Sequence, residues 1–143
     1  MIGASAVAVA VAVTFVWLGM VLAISFLEAP LKFRAPGVTL PLGLGIGRLV
    51  FRALNAVEIG FAVVIVATVA AGPVPVRSAV ALGVAVAALL AQLLAVRPSL
   101  TARSDQVLAG LDAPRSRAHY FYVGLEVLKA MALVVAGVSL LAG

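Results

Sequence analysis

Residues 2–27, IGASAVAVAVAVTFVWLGMVLAISFL, run without a single charged side chain. The Ala/Val alternation from Ala6 to Val13 has the period of a strand. Length overrules it, because a membrane helix needs about 20 apolar residues and a lipid-bound backbone must satisfy its own hydrogen bonds. A cleaved signal peptide is the competing reading. It is disfavoured by the absence of a basic segment before the apolar run and by the length of that run.

Three more stretches of the same character follow. The second span is expected at about 48–71, ended by Gly72, Pro73 and Pro75; the third covers about 78–96 and is closed by Pro98; the last runs from about 118 to 141. Between the first two, Pro30, Pro36 and Pro41 with Gly37, Gly43, Gly45 and Gly47 read as a connection over 28–47 lying in the interface. A polar stretch over 97–117 holds Asp105, Asp112 and Pro114. The expected fold is therefore all-α, a single polytopic domain over residues 1–143 built as a bundle of four transmembrane helices.

Composition agrees. Of 143 residues 65% are hydrophobic and 10% charged, with a mean hydropathy of +1.28, whereas a soluble domain carries about a quarter charged residues. There is no cysteine and one histidine, which excludes thiolate chemistry and argues against a protein-bound metal. The net charge of +5 is explained by loops rather than by nucleic acid, so the expected surroundings are the lipid bilayer of the inner (plasma) membrane. Lys32, Arg34, Arg48, Arg52, Arg97, Arg103, Arg115 and Arg117 flank the first and third connections, against Arg77 alone at the second. That bias places 28–47 and 97–117 in the cytoplasm and both termini outside.

Polar residues inside the spans are the candidates for chemistry. Arg48, Arg52, Asn55 and Glu58 are spaced four, three and three, and His119, Tyr122, Glu126 and Lys129 three, four and three. At about 100° per residue each set falls within about 120° of one helix face. A lone charge at such depth costs several kcal/mol, about 3 or more on most scales, so the stripes are expected to face each other. The natural pairs are Arg52 with Glu126 and Glu58 with Lys129. Thr14, Ser25 and Glu28 share a face of the first span, with Glu28 expected beside Arg48 or Arg34. The third span, polar only at Gln92, is expected to face lipid. Arg48 and Arg117 read as interface anchors, Tyr120 to Tyr122 as an aromatic belt, His119 as interfacial and Trp17 as packing. Gly43 and Gly47 suit close helix approach better than a phosphate loop. Two uses compete for the buried set: an ion, proton or small polar solute site, and charge pairs that only fix helix packing. No nucleophile constellation points to an enzyme, and no cofactor is indicated.

Several stretches also resemble a family of small four-helix membrane proteins related to eukaryotic transmembrane protein 205. These are Ala29-Pro30-Leu31-Lys32-Phe33-Arg34, Leu42 to Phe51, Arg97-Pro98-Ser99-Leu100-Thr101-Ala102 and Ala118-His119-Tyr120. The resemblance implies the same topology and, through the eukaryotic relative's association with resistance to metal-containing drugs, hints at transport. It transfers no catalytic residue, and Pro30, Phe33, Arg34 and His119 are its most recognisable positions. The third connection is short beside that relative's. A solute-handling protein, acting as a homo-oligomer, is the leading expectation. A non-catalytic accessory or assembly subunit of a larger membrane complex is the alternative.

Overall fold

The computed structural model describes residues 2–112 and 117–143, so Pro114 and Arg115 of the third connection lie outside the described residues. Among the described residues four helices are long and apolar enough to cross a membrane: α1 (Gly3–Arg34), α2 (Leu40–Ala71), α3 (Val76–Leu108) and α4 (Arg117–Ala142). No strand occurs among them. The hairpin-like connections over 35–39 and 72–75 are short, which makes α1 and α2, and α2 and α3, antiparallel neighbours in the chain.

The first and third helices are longer than their prolines suggest. Proline lacks an N–H and its ring strikes the carbonyl four residues back, which normally ends a helix. Here the clash is relieved by a π turn placed just before each proline, over Leu22–Glu28 ahead of Pro30 and over Gln92–Val96 ahead of Pro98. Ala29 N–H reaches Ile24 O and Arg97 N–H reaches Gln92 O, bonds five residues long that widen the turn. Helix α1 therefore continues through 28–34 and α3 through 97–108. Of the stretches expected as connections, residues 28–34, 40–47 and 97–108 are helix. Only 35–39, with Gly37 at φ 82° in the left-handed region, is a true link between α1 and α2. Helix α2 then starts where Thr39 caps it, its hydroxyl accepting from Leu42 N–H at 3.3 Å, and Pro41 falls in the first turn where no N–H is missed.

Helix α4 packs along α3 and against α1, α1 along α2, and α2 meets α3 mainly at the Arg97–Leu108 end. The expectation that the third span faces lipid is thus corrected: Leu82, Ala85 and Leu89 of α3 are core residues beside Leu133 and Ala136 of α4 and Trp17 and Val21 of α1. Alanines on these faces have no bulk to hold the backbones apart. Gly43 and Gly47 of α2 serve the same end. A side chain on Gly43 would meet the Phe33 ring, and one on Gly47 would come within 2.9 Å of Lys32 Nζ, so the glycines admit the last turn of α1.

The exterior is apolar where a soluble protein would be charged. Leu49, Val63, Val76, Leu94 and Met131 are all more than 60% exposed, while Glu58 and Lys129 are completely buried. This inversion suits lipid rather than water as the surrounding medium.

Candidate functional site

Each helix sends polar side chains to one point in the interior. Lys129 of α4 contacts Glu58 Oε2 of α2 at 2.5 Å and Glu126 Oε1, one turn back on α4, at 2.6 Å. Its third donor goes to Gln92 Oε1 of α3 at 2.8 Å, so the ammonium has an acceptor for each of its three N–H bonds. Trp17 of α1 donates its indole N–H to Glu58 Oε2 at 2.8 Å, and Ser25 donates to Glu126 Oε2 at 2.6 Å. Gln92 Nε2 completes the network by donating to Tyr122 O at 3.3 Å and, weakly, to Glu126 Oε1 at 3.4 Å. The side chains of Glu58, Lys129 and Glu126 are 0%, 0% and 2% exposed.

The expected pair Glu58–Lys129 is present. The expected pair Arg52–Glu126 is not: Arg52 is exposed, and Glu126 is held by Lys129, Gln92 and Ser25 instead. The stripe on α2 is about 120° wide with Arg52 and Glu58 at opposite edges, so a helix that turns Glu58 inward turns Arg52 out, where its long side chain reaches the interface. Glu28 pairs with Lys32 on its own helix at 3.7 Å, neither with Arg48 nor with Arg34, and Arg48 pairs with Asp105 at 2.5 Å. Asn55 is buried on the inner face of α2. Tyr120 and Phe121 are each 65% exposed, consistent with an aromatic belt, while Tyr122 is buried.

Above Glu126, toward the 35–39 connection, the helices part around a cavity of about 460 Å³. Ser25, Glu126, Tyr122 and His119 line it, with Lys32, Arg48, Arg97 and Arg103 among the other walls. Of the sequence candidates, Glu126, Tyr122 and His119 therefore share the cavity, and Glu126 joins it to Lys129 and Glu58 below. Trp17, Ser25 and Gln92 also belong to the site. Ser25 was marked by the face it shares with Thr14 and Glu28, and Gln92 by being a strongly polar residue alone in an apolar span, while no spacing marks Trp17.

Two polar atoms at the inner end remain open. Glu58 Oε1 and Thr14 Oγ1 are buried without a hydrogen-bond partner, Thr14 lying one turn before Trp17 on α1. An unpaired buried hydroxyl costs about 1–3 kcal/mol. Thr14→Val, nearly the same shape, is therefore expected to raise stability by about 1 kcal/mol, read as a higher midpoint of thermal unfolding in detergent. A lowered midpoint would mean that the hydroxyl is occupied in the membrane.

Fold and site together define a class: a helical bundle of membrane-spanning dimensions whose four helices are joined at the centre by a buried charged network. Comparison with family models, with curated proteins and with solved structures returns no match. Its function is accordingly argued from the geometry of the site.

Proposed function

We propose that the protein handles an ion or small polar solute within the membrane, and that the ion is a proton or a monovalent cation exchanged at Glu126, Lys129 and Glu58. The observation that carries this reading is the charge count: two buried carboxylates share one buried ammonium, leaving a net −1 when all three are ionised. An uncompensated charge in so apolar a place is costly. Balance requires one further positive charge, and Glu126 lies at the floor of the cavity, where such a charge can arrive and leave. Ser25, 2.6 Å from Glu126 Oε2, is a hydroxyl able to pass a proton between the cavity and the carboxylate. Glu58 Oε1, buried without a partner, offers a second acceptor farther in.

The distribution of basic residues supports a cytoplasmic cavity. Lys32, Arg34, Arg48, Arg52, Arg97 and Arg103 gather at the cavity end and Arg77 at the opposite one.

The test is flux through reconstituted vesicles carrying a pH-sensitive dye, with gradients of protons, sodium and potassium imposed in turn. Vesicles containing the protein are expected to dissipate at least the proton gradient faster than empty ones. Identical rates for all three ions would overturn the reading and leave the network a packing device.

A further inference from the structure

The cavity has a chemistry distinct from that of the triad beneath it. Lys32 Nζ and Arg97 Cζ each lie over the Phe51 ring at 5.9 Å from its centroid, and the Tyr122 ring meets Phe51 edge-on at 6.0 Å. Lys32 Nζ is also 5.6 Å from the Phe33 ring. Ring faces hold these positive groups in place without consuming a carboxylate. The anions nearby offset only part of this charge. Glu28 reaches Lys32 only at 3.7 Å, and Asp105, which pairs with Arg48, is itself 57% exposed on a pair screened by solvent. Glu126 is occupied by Lys129, Gln92 and Ser25.

A second, independent observation points to a ligand with several acceptor oxygens. Tyr122 and Ser104 both line the cavity with buried hydroxyls: Ser104 Oγ makes no hydrogen bond, and the Tyr122 hydroxyl, beside the Arg97 guanidinium that can donate to it, has no acceptor for its own proton. Tyr122 as a whole is only 8% exposed, so bulk water is no substitute. Buried polar groups of native proteins are rarely left in that state unless something else satisfies them. The cations and hydroxyls are all donors, and they come from α1, α2, α3 and α4. Phosphate, with its charge spread over several oxygens, accepts from many directions at once.

We propose that this cavity binds a phosphate group, held by Lys32, Arg48 and Arg97 and by the hydroxyls of Tyr122 and Ser104. The space of about 460 Å³ is far more than a bare phosphate fills and falls in the range of organic-ligand pockets, about 300–1,000 Å³. Phe26, Leu44, Leu100 and Val123 supply an apolar wall for whatever the phosphate is attached to. The inference rests on the cavity and goes beyond the ion-exchange reading of the triad.

The experiment is titration of the full chain, purified in detergent, with inorganic phosphate in one arm and short-chain phosphatidic acid in the other, bound stoichiometry being read by native mass spectrometry. One ligand per chain is expected in at least one arm. Binding in the phosphatidic acid arm alone identifies a lipid headgroup, and binding in both a free phosphate compound. Arg97→Gln is expected to weaken binding about tenfold and Arg97→Lys less, in proteins whose thermal unfolding is unchanged. Lys32→Gln serves as the second variant should Arg97→Gln fold poorly. No binding in either arm, or binding that both glutamine variants leave intact, overturns the proposal. Since no flux is measured, a chain that binds phosphate yet moves no ions retains this inference and loses the previous one.

Discussion

Lys129→Met is expected to destabilise the bundle by about 3–5 kcal/mol, the scale on which removing one partner of a buried ion pair acts. The methionine fills nearly the same space, so packing is conserved. What is lost is the positive charge between Glu58 and Glu126, which contact the ammonium at 2.5 and 2.6 Å from two different helices. Without it two carboxylates face each other in an apolar interior, and Gln92 Oε1 loses its donor as well. Thermal unfolding in detergent checks the size of the effect. The triple variant Glu58→Gln, Glu126→Gln, Lys129→Met removes all charge at once and is expected to recover most of the loss, because the penalty comes from imbalance. A partial recovery is expected too from exchanging the charges, Glu58→Lys with Lys129→Glu. If Lys129→Met alone unfolds at the wild-type temperature, the ammonium does not hold the helices together.

Glu126→Gln is expected to have the opposite profile, abolishing ion flux while leaving the fold intact. The change turns a net −1 cluster into a neutral one, with Lys129 and Glu58 matched one to one. An amide occupies the carboxylate's volume, and its oxygen still accepts from Lys129. Stability is therefore expected to stay the same or rise. The amide cannot take up or release a proton, so flux in reconstituted vesicles is expected to fall to that of empty ones. A purely structural network gives another result: unchanged flux beside a shifted unfolding midpoint. The pair of measurements separates the two uses of buried charge that the sequence leaves open.

Much of the bundle was legible in the sequence because lipid imposes a simple rule, that a long uncharged run is a helix. The periodic stripes also placed Glu58, Glu126 and Lys129 together. On α4, Tyr122, Glu126 and Lys129 fall within about 60° of one another, so any rotation that buries one buries all three. On α2 the stripe is twice as wide and only part of it can face inward, which is why Glu58 and Asn55 are buried and Arg52 is exposed. Trp17 and Gln92 were missed as site residues for a different reason, whereas Ser25 was placed on a face shared with Thr14 and Glu28. Trp17 reads as packing and Gln92 is the lone strongly polar group of its span, so nothing in the spacing shows that either turns inward. The prolines misled most. Pro30 and Pro98 signal helix ends, and only the backbone shows the π turns that let α1 and α3 pass through them.

Those π turns also fix how many residues each of the two helices can contain. A π turn holds one residue more than the α-helical path it replaces, and losing that residue would turn everything beyond it by about 100°. In α1 such a loss would swing Lys32 and Phe33 away from the glycines that receive them. In α3 it would swing Arg97 and Arg103 off the cavity wall while Gln92 stayed with Lys129. Links such as 72–75 tolerate a gained or lost residue, but the stretches from Trp17 to Lys32 and from Gln92 to Arg103 do not. When descendants of this gene diverge, single-codon deletions should accumulate in the links and be purged from those two stretches, even where the amino acids themselves are free to change.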